Sequence, residues 1–129
     1  MAAVTTIRIL NNKPAYRPID LYRGDSFTAK PITIYINSVA QTISGDAFTM
    51  QIKDVRTGEV LLLLTSVGNA GISFPTATTF IYFLSPAQTE ALLPTKKMKY
   101  DLQWVRASDS QKKTLFVGPV TNTQDVTKP

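Results

Sequence analysis

A chain of 129 residues has the length of one domain, and its 43% apolar content is sufficient for a single hydrophobic core. It contains no cysteine and no histidine, which excludes disulfides, thiolate metal sites, cysteine nucleophiles and the commonest general base. The net charge is +5, and the longest apolar run, at 60–64, is too short to cross a bilayer. No signal-peptide pattern is visible, so we expect synthesis in a cytoplasm and no membrane partner.

The first 18 residues differ in character from the rest. Residues 5–10 have the composition of a strand, and Pro14 and Pro18 then exclude a helix. This pattern predicts an extended N-terminal arm or edge strand over 1–18, followed by a β-sandwich domain over 19–129. An arm of this length can reach a neighbouring subunit. Its candidate interface residues are Ile7, Ile9 and Tyr16.

Beyond the arm, apolar residues recur with a period of two, which is typical of half-buried strands. Alternating runs lie at 32–36 and 48–52, separated by a turn at 44–46. A five-residue loop with a glycine, 54–58, predicts a hairpin into the apolar run. The continuous apolar composition of 60–64 indicates a strand that is buried on both faces or covered by a partner.

A helix start follows the next strand. Ser85 is a suitable N-cap, Pro86 suits the first helical position, and Gln88 completes a capping box. Because Pro94 ends the pattern, a short helix is predicted over about 86–93. Its spacing leaves two possible buried faces open. One comprises Ala87, Ala91 and Leu92, and the other comprises Leu92 and Leu93.

The pattern of the C-terminal part predicts a closing β-hairpin. A polar loop at 107–111 reverses the chain between one strand that starts at Met98 and another at 114–118. The predicted core face of the first strand comprises Met98, Tyr100, Leu102 and Trp104. The opposite face comprises Lys99, Asp101 and Gln103.

Seven or eight short strands separated by turns predict an all-β fold. The predicted architecture is an immunoglobulin-like β-sandwich with one short crossover helix and an extended N-terminal arm.

No residue pattern points to catalysis. The tripeptide 23–25, Arg-Gly-Asp, is interpreted as a tight turn, because glycine permits positive φ and aspartate favours turns. Paired carboxylates facing a cleft would suit glycoside hydrolysis, but Asp20 with Asp25, and Asp101 with Asp109, fall in turns or on solvent faces. We therefore assign no catalytic residue, cofactor or metal ligand, and expect a protein that is not an enzyme.

The positive charge does not form one stripe. In the predicted hairpin, 96–99 and 106–113 lie at opposite ends, roughly 25 Å apart at the rise of a strand. This separation disfavours nucleic-acid binding. An acidic neighbouring subunit suits the charge equally well.

The aromatic side chains suggest a second class of function, the binding of a ligand or a host surface. Tyr35 and Tyr82 are the candidates for an exposed or interfacial surface in the predicted register. Exposed rings of this kind would suit a carbohydrate- or host-surface-binding attachment module, which is the alternative function.

Four segments, in order, carry a resemblance to a known family. They are Arg-Gly-Asp-Ser-Phe at 23–27, Phe-Thr-Met-Gln-Ile-Lys-Asp at 48–54 with Gly58, Leu-Ser-Pro-Ala-Gln-Thr-Glu-Ala-Leu at 84–92, and the closing hairpin with Tyr-Asp-Leu-Gln at 100–103, Thr-Leu-Phe-Val-Gly at 114–118 and Asp-Val-Thr at 125–127. Together they resemble the N-terminal domain of phage baseplate upper proteins and related tail, fibre and head-associated domains. The resemblance implies a bacteriophage virion component that is assembled in the host cytoplasm as a homo-oligomer. It also implies partners among capsid, neck, baseplate or fibre proteins.

Overall fold

A computed structural model of the chain describes residues 5–8, with backbone only, and 15–36, 39–43, 45–93, 96–108 and 110–123. Within these ranges twelve strands form two six-stranded sheets. The strands are β1 (Thr5–Arg8), β2 (Ala15–Tyr16), β3 (Ile19–Tyr22), β4 (Phe27–Thr28), β5 (Ile32–Ile36), β6 (Val39–Ala40), β7 (Ala47–Asp54), β8 (Val60–Thr65), β9 (Ile72–Thr76), β10 (Thr79–Leu84), β11 (Met98–Val105) and β12 (Lys112–Thr123). The prediction of an all-β sandwich with one short helix is confirmed.

The first sheet has the order β1-β5-β10-β4, with β6 added to β5 and β9 added to β10. Strand β1 runs parallel to β5, so residues 5–8 of the predicted arm are paired within this chain. Residues 1–4 and 9–14 lie outside the described ranges.

The second sheet has the order β2-β12-β11-β7-β8, with β3 also parallel to β12. The predicted closing hairpin is confirmed, because β11 pairs antiparallel with β12 along its whole length. In the order β12-β11-β7-β8, the two antiparallel hairpins β7-β8 and β11-β12 lie side by side. The triplet 125–127 lies outside the described residues.

The two sheets enclose an aromatic core centred on Phe48. Its ring centroid lies 4.4 Å from that of Phe80, 5.6 Å from that of Phe74 and 6.4 Å from that of Trp104. The indole of Trp104 is buried and donates through Nε1 to Asp46 Oδ2 at 2.8 Å. The predicted core face of β11 is confirmed at all four positions, since Met98, Tyr100, Leu102 and Trp104 are buried.

The short helix α1 (Pro86–Ala91) begins as predicted. Ser85 Oγ accepts from the backbone of Gln88, and the Gln88 side chain accepts from the backbone N–H of Ser85, which completes the capping box. Neither predicted buried face is correct as a whole. Leu92, which both faces share, is buried, but Ala87, Ala91 and Leu93 are exposed, and the other buried side chain of the helix is that of Thr89. Within the described ranges, no helix combines the length and apolar character needed to cross a membrane.

Strand β8 differs from its prediction. The prediction that this strand is buried on both faces is wrong. β8 lies at the edge of the second sheet and pairs only with β7 among the described strands. Leu64 is buried against the core, whereas Val60 and Leu63 are 46% and 53% exposed. The apolar run therefore supplies one buried side chain, two half-buried side chains that pack against the core, Leu61 and Leu62, and two exposed apolar side chains.

Candidate interaction surface

The Arg-Gly-Asp turn at 23–25 is bonded to the helix. Thr89 Oγ1 accepts from the backbone N–H of Gly24 at 3.0 Å and donates to the carbonyl of Asp25 at 2.8 Å. Arg23 donates through Nε to the carbonyl of Glu90 at 3.0 Å and forms an ion pair with its carboxylate at 3.6 Å. Since Gly24 has φ of 89°, glycine is the residue that this turn favours. The turn interpretation is confirmed, and the tripeptide is engaged within the fold.

A second bond group ties the helix to the last strand. Asn122, which is buried on β12, donates through Nδ2 to the carbonyls of Thr89 and Leu92. These carbonyls belong to the C-terminal turn of α1, where helical partners are missing. Asn122 Oδ1 has no hydrogen-bond partner among the described residues. The helix is thus held from both sides, by the turn at 23–25 and by β12.

A groove of about 540 Å³ lies on the outer face of the second sheet, within the usual size range of ligand sites. Its floor is formed by side chains of β7, β11 and β12 that point away from the core. The residues that line the groove include Tyr16, Gln51, Lys53, Lys99 and Asp101. They come from β2, β7 and β11, so the sheet assembles a surface that no single segment contains.

The register places two cations directly opposite each other in this groove. Lys53 on β7 pairs with Lys99 on β11, and like charges at such positions destabilise a sheet. Neither ammonium has an ion-pair partner among the described residues. Asp101 and Gln51 form the next pair on the same face. The groove therefore carries an uncompensated positive pair beside a carboxylate and an amide.

Tyr16 stands at one side of the groove with 69% of its surface exposed. Its strand is held tightly, because the Tyr100 hydroxyl donates to the carbonyl of Arg17 at 2.6 Å, and the Arg17 N–H donates to the carbonyl of Val117 at 2.8 Å. A Cβ at Gly118 would lie 2.5 Å from the Arg17 carbonyl oxygen, so only glycine permits this approach. The fold presents an exposed ring on a fixed backbone.

The outer edge of β8, with which no described strand pairs, lies on the same sheet, and only its last residue, Thr65, forms a bridge, to Gly71. Its exposed Leu63 pairs with Gln51, and Val60 pairs with Lys53, so apolar side chains border the polar groove on this side. The strand Val60–Thr65 has no charge and no proline, the two devices that commonly protect a sheet edge. This edge is suited to pairing with another strand.

Comparison with protein-family models and with curated protein sequences gives no match. Among the described residues, no cluster of three or more acidic side chains is arranged to hold a metal ion.

Among the described residues, the predicted interface positions are divided between the two sheets: Ile7, Tyr35 and Tyr82 lie on the neighbouring strands β1, β5 and β10 of the first sheet, and Tyr16 lies on β2 of the second. Tyr16 borders the groove, Tyr35 is half-buried on β5, and only the backbone of Ile7 is described. Ile9 lies outside the described residues. The assignment of these residues to an interface stays a prediction.

The prediction that Tyr82 lies on an exposed or interfacial surface is wrong as regards its exposure. Tyr82 is only 7% exposed, and its ring stacks on that of Phe27 at a centroid distance of 6.0 Å. Phe80, Tyr82 and Leu84 share the inward face of β10. After Thr79 the residues of β10 are aliphatic or aromatic, so no alternation of polar and apolar residues distinguishes its two faces, and the sequence did not indicate that Tyr82 faces inward.

Burial raises the pKa of Tyr82 to about 12 and also raises the pKa of Tyr100 above its usual range. Because the fold favours the neutral phenols, their stabilising contribution is complete below pH 10 and is lost as the pH rises towards 12. We expect the free energy of unfolding, measured by urea titration, to fall between pH 10 and 12. Tyr82 accounts for about 2 kcal/mol of this fall.

Tyr82→Phe is the matched control for this titration. It keeps the stacked ring and removes the ionisable group, so the alkaline loss of stability should become smaller by the Tyr82 share. An identical pH profile in both proteins would contradict the assignment.

Proposed function

We propose that the chain is a non-enzymatic structural component of a bacteriophage virion, a baseplate, tail, fibre or head-associated accessory protein. It is made in the bacterial cytoplasm, associates with copies of itself and docks on other virion proteins. It acts by pairing its strands with those of other subunits and by burying its surface against them.

The observation that carries the proposal is that the segments that resemble virion domains contact one another in pairs: the turn at 23–25 bonds the segment 84–92, and 48–54 on β7 pairs with 100–103 on β11. The turn at 23–25 and the helix segment at 84–92 are joined through Thr89, and Asn122 of the closing hairpin bonds the end of the same helix. Segments far apart in sequence thus form one bonded unit. This supports the interpretation that the resemblance concerns a folded module, because chance matches to strand and turn patterns need not meet in space.

The edge of β8 supports self-association. Antiparallel pairing of two such edges would join two second sheets into one continuous sheet through a two-fold axis, since each edge presents the same groups to the other. The neutral strand offers no charge repulsion to this arrangement. The net charge of +5 is suited in addition to an acidic partner in the particle.

The test is the composition of purified particles from a tailed phage that encodes this chain. Mass spectrometry should find the chain in many copies per particle, and immunogold labelling should place it at one structural station. A phage-encoded enzyme of replication serves as the negative control for contamination. Particles that contain the other structural proteins but lack this chain would contradict the proposal.

A further inference from the structure

We propose that the outer groove of the second sheet is a binding site for an acidic saccharide, a sugar chain that carries carboxylates. This inference does not rest on the virion proposal, because it concerns the surface of a single copy of the chain. It moves the candidate carbohydrate site from Tyr35 and Tyr82 to Tyr16 and the outward residues of β7 and β11.

The cationic pair selects an anionic group. Lys53 and Lys99 face each other across adjacent strands and lack an ion-pair partner among the described residues, so their repulsion is relieved when an anion lies between them. A carboxylate or a similar compact anion satisfies this position. A neutral ligand would leave the repulsion in place.

The neighbouring pair selects hydroxyl groups. Asp101 is an acceptor when ionised, and the Gln51 amide both accepts and donates. Sugar hydroxyls supply the donors that these groups need. A nucleic acid or an acidic peptide also presents repeated anions but carries few hydroxyl donors, so it would leave Asp101 and Gln51 without hydrogen-bond partners. The combination of cations with an adjacent carboxylate therefore favours an acidic sugar over other polyanions.

Tyr16 supplies a face for the sugar ring. The register places it two strands from Asp101, which corresponds to about 10 Å across the sheet, while the lysine pair lies about 7 Å further along the strands. Groups separated by these distances are bridged by an extended ligand, which suits a chain of sugar rings. The contacts of Arg17 with Tyr100 and Val117 fix the Tyr16 backbone, so binding orders only the side chain.

The experiment measures binding to the purified full chain by isothermal titration calorimetry. The probes are an oligogalacturonate, a neutral malto-oligosaccharide of the same length, and a poly-glutamate peptide of matched charge. We expect binding of the oligogalacturonate and binding to the other two that is at least tenfold weaker. Tyr16→Ala and Lys99→Gln should each weaken the oligogalacturonate complex at least tenfold.

Two matched variants lie outside the groove. Tyr22→Ala removes another exposed tyrosine, and Lys112→Gln removes a lysine at the far end of the hairpin. Both should bind like the parent chain. The inference is overturned by absent binding, by equal binding of the neutral or peptide probe, or by equal losses in the control variants. All variants change exposed side chains, and their circular dichroism spectra must match the parent.

Discussion

Replacing Phe48 by alanine is expected to destabilise the protein more than any surface substitution, by about 3 to 5 kcal/mol. The Phe48 side chain is fully buried and contacts three other aromatic rings, so its removal leaves a cavity between the two sheets. A typical domain has only about 5 to 15 kcal/mol of total stability. The midpoint of thermal unfolding should fall by about 10 to 20 °C. Circular dichroism and the fluorescence of the single tryptophan, Trp104, measure it.

Phe83→Ala is the matched control, because the Phe83 side chain lies on the outward face of β10 and is exposed. It should change the unfolding free energy by less than about 1 kcal/mol. Phe48→Leu retains most of the buried volume and should cost less than Phe48→Ala. Equal losses for Phe48→Ala and Phe83→Ala would show that the aromatic cluster is not the centre of the core.

Much of this core could be predicted from periodicity. Polar and apolar residues alternate over 48–53 of β7 and 98–104 of β11, so only one register hides the apolar side chains. Phe48 and Trp104 were placed correctly for that reason. The capping box of α1 was equally predictable, since Ser85 and Gln88 interact only with each other's backbone and require no distant partner.

Strands without alternation could not be interpreted in the same way. The run at 60–64 and the part of β10 after Thr79 lack an alternation of polar and apolar residues that would mark an outward face, so the exposure of Leu63 and the burial of Tyr82 depend on the order of strands in the sheets. An alternating pattern does not indicate which strand lies at the edge of a sheet. That position follows from the order in which the strands pair in the folded sandwich.

The groove shows the same limit at the level of function. Lys99 and Asp101 were predicted to share the outward face of the hairpin, but the sequence did not indicate that β7 would lie beside β11 and bring Lys53 opposite Lys99. The bonds of Thr89 to the turn at 23–25 were also missed, because Thr89 carries no local signal for burial. Such contacts join residues far apart in sequence and follow only from the three-dimensional fold.

Placing a lysine on the free edge of the second sheet is expected to prevent self-association. Leu63 is exposed on β8, and in an antiparallel pair of two β8 edges the introduced ammonium groups would approach each other in a surface that is now apolar. We expect Leu63→Lys to raise the dissociation constant of the proposed dimer through β8 by about 100-fold, which corresponds to about 3 kcal/mol. Analytical ultracentrifugation over a wide concentration range measures it.

Val39→Lys provides the comparison, since Val39 is an exposed valine on β6 of the other sheet. It adds the same charge, so any general effect of charge on association appears in both variants, whereas an effect of the β8 edge appears only in Leu63→Lys. Because Leu63 does not contribute to the core, the unfolding free energy should change little in either variant. If Leu63→Lys associates as the parent chain does, assembly uses a surface other than β8.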